Sequence, residues 1–568
     1  MSRMSKKQPS ICTAVPLTDP DVSQKLALLR QVLTSCFGPW GRLKQVHNNV
    51  GGAVMTTSTS SVLLKAIQVS HPVLKLLVTS ILNHTSRFGD GGLFAGILSL
   101  CLLENALRLS VDQAVAVGVY RRLLGLCDAY LVRDNCGCKI RVDFSSTQVL
   151  LTLACGLLAS KPACALTSAE VKHVALQVTR AFLLTVPCGT LGQDRLGAAV
   201  VVPVEGQPPW ASAALEGLLL DMPESLRAAD LELQGGALIR LALFSVSLAG
   251  DLPEAGDGPL ELHGETCLEE AVLEQLLRLA DQLVSDGVQL LACQKVVHPV
   301  LQHYLRARGV IVVERLGLAI MEPLVQMTDA QPLATFQAPV PGISYGRLRG
   351  LGIHQCGSRE MLHLLPAGAP TTCTLVLCHR NETALAELKV SCERAGQVLR
   401  LMLKEPFALL GGGCTETHLA AFVRHESSSD VTEAIRELGC SRHDYMRVMD
   451  AFCHSLESVA RALGQDGGVT LTDLCHAHCW GIPAAPPADV PWVELVRSCG
   501  CGLMNGHSGL EWNLIGTEYP SFSPALNPGT ESLPCVLDSF FAKVNALHVA
   551  VESANLILDL KHIIQDSN

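Results

Sequence analysis

The stretch Arg87-Phe88-Gly89-Asp90-Gly91-Gly92-Leu93-Phe94 joins a glycine-rich turn carrying one carboxylate to a long apolar run. Glycines let successive backbone N–H groups face an anion, a following helix N-terminus adds favourable partial charge, and a carboxylate can hold a divalent cation between phosphates. Phosphate binding is the chemistry such a turn offers, and a plain turn is the bland alternative. A second constellation, Cys475-His476-Ala477-His478-Cys479, packs four potential zinc ligands into five residues, with Cys475 and Cys479 at helical i,i+4 spacing. No second cluster at matching spacing follows it, so ordinary thiols beside histidines are expected there. Cys136-Gly137-Cys138 and Cys499-Gly500-Cys501 carry a weaker metal signal. Cys293, before Gln294-Lys295 at a strand end, is the one placement in which a nucleophilic thiol is worth naming.

The elements positioning these residues belong to a long chain of 568 residues, enough for several units of roughly 100 to 200 residues each. Aromatics make up only 4%, so Leu, Ala and Val must build the core. A net charge of −10 supplies no basic field for nucleic acid, and nucleic-acid binding is not expected. The 23 cysteines follow no small-domain framework and are read as reduced cytosolic thiols. Met1 to Ser10 is basic but lacks the apolar core of a signal peptide, and the stretch from Asp143 to Lys161 is too interrupted by Ser, Thr and Gln to span a bilayer. No membrane insertion is expected.

From Pro20 the pattern is helical, broken at Gly38-Pro39-Trp40-Gly41 and restarted at His71-Pro72, where proline suits the first helical turn. Leu93 to Leu107 is apolar on nearly every side, which predicts a buried helix, and Ser110-Val111-Asp112-Gln113 reads as a capping box for the next. After Pro187 the character changes, with strands at Ala198–Val204, Leu238–Val246 and Cys373–Cys378. An acidic segment, Ala249–Glu265, precedes a helix from Cys267 to Val284, and Val288–Cys293, Pro299–Arg308 and Val310–Glu314 form a β-α-β unit with a parallel pair. Helix returns from Lys404 through Gly411-Gly412-Gly413 to a final helix over Asp538–Ile564 with a strand-like end. Helical ends enclosing a mixed middle predict an α+β multidomain architecture with an inserted centre.

In order and spacing, these features resemble the group II chaperonins, the cytosolic ring chaperonins and their archaeal relatives. The resemblance runs from Gly38-Pro39-Trp40-Gly41 through His71-Pro72 and Gly89-Asp90-Gly91, resumes at Cys293-Gln294-Lys295-Val296-Val297, His303-Tyr304-Leu305 and Gly309-Val310, and ends at Gly411-Gly412-Gly413-Cys414-Thr415-Glu416 and Ala554-Asn555-Leu556-Ile557-Leu558. It implies a helical equatorial domain from both termini (1–142 and 406–568), a discontinuous intermediate domain (143–203 and 373–405) and an inserted α/β apical, substrate-binding domain (204–372). The Ala249–Glu265 segment and the helix after it would occupy the family's lid region. The nucleotide site implied by the resemblance takes Gly38, Pro39, Gly41, Gly89, Asp90, Gly91, Gly411, Gly412 and Gly413, as a vestigial frame for weak ATP and magnesium binding.

Four positions depart from the family pattern. Active members carry Gly-Asp-Gly-Thr-Thr, and this chain has Gly92 and Leu93 at the two threonine positions. Thr57-Ser58-Thr59-Ser60-Ser61 lies where the family has Thr-Asn-Asp-Gly-Ala-Thr, which puts Thr59 at an acidic position, and an ungapped count from Thr374 puts Arg394 where the catalytic aspartate is expected. Phosphoryl transfer depends on charge positioning and an oriented water, and a guanidinium cannot accept a proton. Each such loss removes on the order of 10²-fold of rate, so negligible hydrolysis is expected.

Within the family, Leu43-Lys44-Gln45, Gly411 to Leu419 and Val551 to Leu560 resemble a divergent vertebrate chaperonin-like branch. That resemblance implies assembly of the BBSome, a ciliary coat complex, through contact with its subunits, with related chaperonin-like subunits and with the cytosolic ring chaperonin. The implied locations are cytoplasm, centrosome and basal body, with the nucleus as a further compartment. An ATP-driven chaperonin subunit and a zinc- or thiol-dependent regulator stand as the alternatives. A monomer or mixed complex is expected in place of a homomeric double ring, and the helix Val297–Leu305 offers an apolar patch to clients.

Overall fold

The computed structural model describes residues 11–47, 55–187, 196–223, 226, 238–250, 268–336, 339–369, 371–428, 431–464, 467–485, 490, 495–506, 510–517, 522 and 535–565. The expected lid segment Ala249–Glu265 falls almost wholly outside the described residues. The chain divides into two compact units, Met1–Ala175 with Ala386–Asn568, and Leu176–Leu385.

The first unit is helical and is tied together by both ends of the chain, since Ile11–Ala14 pairs antiparallel with His562–Gln565. Its central helix is Gly92–Arg108, buried from Gly92 to Leu103 as its all-round apolar sequence predicts. Pro20–Thr34, Pro72–Phe88, Arg442–Arg461 and Phe540–Leu558 pack against it. Pro72 occupies the first turn of its helix, and His71 caps it, with Nδ1 accepting from Val73 N at 3.3 Å. The next cap differs from expectation. Helix Gln113–Val132 is capped by Asp112, whose carboxylate accepts from Ala114 N at 3.0 Å, so the Ser110 box is out of register. Two small sheets complete the unit's site-bearing side. Phe407–Leu410 lies between Leu537–Ser539 and Lys139–Arg141, and Val469–Asp473 between Cys479–Ile482 and Trp512–Leu514.

The second unit holds a six-stranded sheet in the order Ile311–Val313, Leu290–Cys293, Ile239–Phe244, Gly346–Cys356, Arg359–Pro366, Leu218–Asp221. The first three strands are parallel, and the predicted β-α-β unit is present as Leu290–Cys293, Pro299–Ala307 and Ile311–Val313. Strand alternation serves two cores. Ile239, Leu241 and Leu243 pack with Met321, Leu324 and Met327 of helix Leu318–Thr328, while Ala242 and Phe244 meet Leu276, Leu279 and Leu283 of helix Leu268–Ser285. Thr372–His379, buried along its whole length, pairs parallel with Ala198–Glu205 and antiparallel with Ala213–Glu216.

Candidate functional site

Helix Pro72–Phe88 stops at Gly89, whose φ of 79° lies in the left-handed region and whose N–H donates to Thr85 O at 3.0 Å. Gly91, at φ 81°, caps Gly92–Arg108. Both conformations favour glycine, so the chain reverses between two helices in three residues, with Asp90 half-buried between the two glycines. His84 fixes the turn from below, with Nε2 2.8 Å from the Asp90 carbonyl and Nδ1 2.8 Å from Asn545 Oδ1. Gly92 is held by packing, because a Cβ there would overlap the side chains of Thr85 and Ser60.

The turn opens into a cavity of about 480 Å³ lined by Gly38, Pro39, Asp90, Gly91, Gly92, Leu93, Gly412 and Gly413, together with Ser60, Lys161, Glu416, Asp538 and Lys543. Three of the predicted frame residues, Gly41, Gly89 and Gly411, stand outside the lining and act behind it. Gly41 N donates to Gly38 O at 3.0 Å, and Gly411 N to Val536 O at 3.0 Å. Gly412, at φ 63°, passes so near Gly500 that a side chain on either would overlap the other's carbonyl.

Lys543 sits at the start of helix Phe540–Leu558, whose N-cap Ser539 accepts from Ala542 N. Its ammonium forms ion pairs with Glu416 and with Asp538 at 3.1 Å and lies 4.1 Å from the Phe94 ring centroid. Burial alone would lower the Lys543 ammonium, but Asp538 and Glu416 outweigh it and hold it above the ordinary value. Burial pushes the Asp538 carboxyl up against the pull of Lys543. Three carboxylates therefore face two lysines around the cavity. Glycine backbone and Asp90 fit the phosphate end of a nucleotide with a divalent cation neutralising it.

The side chains that would orient a water are placed differently from expectation. Arg394 does not line the cavity. Its Nη1 donates to Thr85 O at 3.0 Å and to Gln397 Oε1 at 3.1 Å, so it braces the end of helix Pro72–Phe88. Among the described residues of helix Glu382–Met402, the one that lines the cavity is Val398, one turn further on. The residue that this helix turns to the cavity is therefore apolar. Thr59 is buried behind the lining, where its Oγ1 donates to Glu387 Oε1 at 2.8 Å. Glu387 also accepts from Thr57 Oγ1 at 2.8 Å, Ser58 N at 3.0 Å and Ser58 Oγ at 3.2 Å. Sequence reading missed Glu387, which has no local signal because its partners lie about 330 residues away.

The five-residue thiol and imidazole cluster does not converge. Cys475 is exposed, and Cys479 turns its Sγ towards Gly413. The four residues form a turn and the start of a strand, with Ala477 at φ 60°, so the i,i+4 helical face does not exist. Cys293 is buried, its Sγ is 3.3 Å from Val246 O, and burial raises its thiol, which leaves no activated nucleophile there.

A helical unit drawn from both chain ends, a glycine-framed cavity within it and an inserted α/β unit define a chaperonin-type subunit. The chain matches the TCP-1/cpn60 chaperonin family over residues 29–568 and belongs to that family. It is 44% identical to the molecular chaperone MKKS of Homo sapiens, and likewise 44% to that of Mus musculus, over the full length of each chain. It is 25% identical to thermosome subunit alpha of Sulfolobus acidocaldarius over 80% of this chain and 81% of the relative.

Proposed function

We propose that this protein is a chaperonin-like assembly factor that binds protein clients without hydrolysing ATP. Val398 carries this reading, because it is the side chain that helix Glu382–Met402 offers to the cavity, and it can neither accept a proton nor orient a water. Glu416 and Asp538 are engaged by Lys543, and Glu387 by three hydroxyls and an amide. Asp90 and the glycines keep a place for weak nucleotide and magnesium binding. The clients proposed are BBSome subunits, handled together with related chaperonin-like subunits and the cytosolic ring chaperonin at the cytoplasm, centrosome and basal body. Support for these partners is the likeness to the divergent chaperonin-like branch.

In the second unit, helix Pro299–Ala307 buries Leu301 and Leu305 in its own core, and Val296 and Val300 remain exposed beside it as the apolar surface offered to a client. A phosphate-release assay on the purified full chain, with an active group II chaperonin as control, tests the reading. The expected result is background turnover. Robust magnesium-dependent turnover abolished by Asp90→Ala would overturn it.

A further inference from the structure

Behind the glycine-framed cavity, four side chains from three separate segments turn their heteroatoms to one point. Cys414 opens helix Cys414–Ser428, His478 precedes strand Cys479–Ile482, and Cys499 and Cys501 flank Gly500. All four are buried, and their donor atoms lie within 4.8 Å of one another. Cys499 Sγ is 3.3 Å from Cys501 Sγ, and His478 Nδ1 is 3.4 Å from Cys499 Sγ and 3.6 Å from Cys501 Sγ.

The two nitrogen–sulfur separations match the edges of a zinc tetrahedron, and the sulfur–sulfur separation is shorter by about 0.5 Å. With Zn–S bonds of about 2.3 Å and Zn–N bonds of about 2.0 Å, tetrahedral geometry puts sulfurs about 3.8 Å apart and nitrogen about 3.5 Å from sulfur. Three thiolates and an imidazole are a soft donor set that suits zinc and disfavours magnesium or calcium, which take oxygen. Four donors this close enclose one ion.

The surrounding backbone is arranged to hold the donors. Met504 N donates to Cys499 Sγ at 3.2 Å, the type of outer contact that stabilises a bound thiolate. Buried Asp473 accepts from His476 N at 2.6 Å, from His478 N at 2.8 Å and from Trp480 Nε1 at 2.9 Å, which fixes the turn presenting His478. Gly500 N donates to Cys479 O at 2.7 Å, and the missing side chains of Gly412 and Gly500 let the cysteine loop close onto the turn that leads into Cys414. Reduced cysteines serving only as small core residues need no common focus and no amide aimed at sulfur.

We propose that Cys414, His478, Cys499 and Cys501 bind one structural zinc ion. With four buried protein donors filling a tetrahedral set, the site is closed, so the ion crosslinks three segments and does not activate water. Gly412, Gly413, Trp480 and Gly500, which line the cavity, are all within two residues of a ligand, and the ion thereby holds that wall in place. This inference is independent of whether the cavity hydrolyses nucleotide.

The test uses the full chain, expressed with added zinc and purified under reducing conditions without chelator, with metal measured by mass spectrometry. About one zinc per chain is expected. Cys501→Ser and Cys414→Ser should lower it to a small fraction, while Cys475→Ser and Cys136→Ser retain it. Because ligand variants can fail to fold, metal-stripped unmodified protein is also titrated with Co²⁺. Intense visible absorption of tetrahedral thiolate-bound cobalt, displaced by zinc, is the expected result. Absence of stoichiometric zinc together with no such absorption overturns the proposal. Iron in place of zinc, or loss of zinc in Cys475→Ser equal to that in Cys501→Ser, overturns it as well.

Discussion

Replacing Lys543 with Met keeps a long flexible side chain but removes the cation between Glu416 and Asp538. Lys543 and Glu416 have side chains only 11% and 3% exposed, so water cannot substitute for the lost partner. Glu416 is already poorly served, since its Oε2 makes no hydrogen bond. Removing one member of a buried ion pair typically costs about 3–5 kcal/mol, because a charge is left uncompensated. At about 1.4 kcal/mol per decade, that is a rise of roughly 10² to 10³-fold or more in local opening. Hydrogen exchange followed by mass spectrometry should show the rise in helices Phe540–Leu558 and Cys414–Ser428, which carry Lys543 and Glu416. Adding Glu416→Gln should restore part of the loss, and the double-mutant cycle gives the coupling. The deficit of Lys543→Met should also shrink as pH falls. Asp538, whose carboxyl burial raises, destabilises the fold without its cation only while ionised. Exchange in Lys543→Met within about threefold of the unmodified protein would show that the pair is effectively solvated and refute the reasoning.

Two further outcomes follow from side chains that hold the unit together. Glu387→Ala leaves Thr57 Oγ1, Ser58 N and Thr59 Oγ1 without their buried acceptor and should cost about 3 kcal/mol, read as faster amide exchange at Ser58; protection unchanged from the parent protein would contradict this. His548 is raised by its hydrogen bond to Asp128, at 2.9 Å, with the Asp128 and Glu552 charges adding to it against burial. Its contribution is fully present below the ordinary histidine value of about 6.5 and is lost as pH rises through the raised folded value, so His548→Gln should flatten the fall of stability between those two values. Identical stability–pH curves for the two proteins would dismiss that contribution.

Much of the architecture is legible locally because it rests on local rules. The β-α-β unit around Pro299, the capped restart at His71-Pro72 and the buried helix after Gly92 each follow from periodicity, proline and glycine within a few residues. The side chains that define the sites follow from contacts across hundreds of residues. Arg394 and Val398 differ by one helical turn, and only the packing of helix Glu382–Met402 decides which of them faces the cavity. Glu387 answers to Thr57 and Thr59, at a distance no window spans. The cysteine and histidine run from Cys475 to Cys479 divides for the same reason. His478 leaves its sequence neighbours to join Cys414, Cys499 and Cys501, while Cys475 stays at the surface.

That distinction bears on how the cavity's glycines are to be understood. A glycine frame is ordinarily taken as a sign of phosphate binding, yet here several of the glycines are required by close approach alone. Gly41 would collide with the Cys36 carbonyl, Gly92 with Thr85 and Ser60, and Gly412 with Gly500, whether or not an anion ever enters. Their presence therefore fixes the shape of the cavity and carries no information about turnover. Turnover depends on side chains that can take a proton or orient water; helix Glu382–Met402 turns Val398 to the cavity, Glu416 and Asp538 are paired with Lys543, Glu387 is held by the hydroxyls of Thr57, Ser58 and Thr59, and Asp90 is the remaining carboxylate of the lining. The same close approach of Gly412 and Gly500 that shapes the cavity also delivers Cys414 to Cys499 and Cys501. One wall of the cavity is thus backed by three thiols and an imidazole.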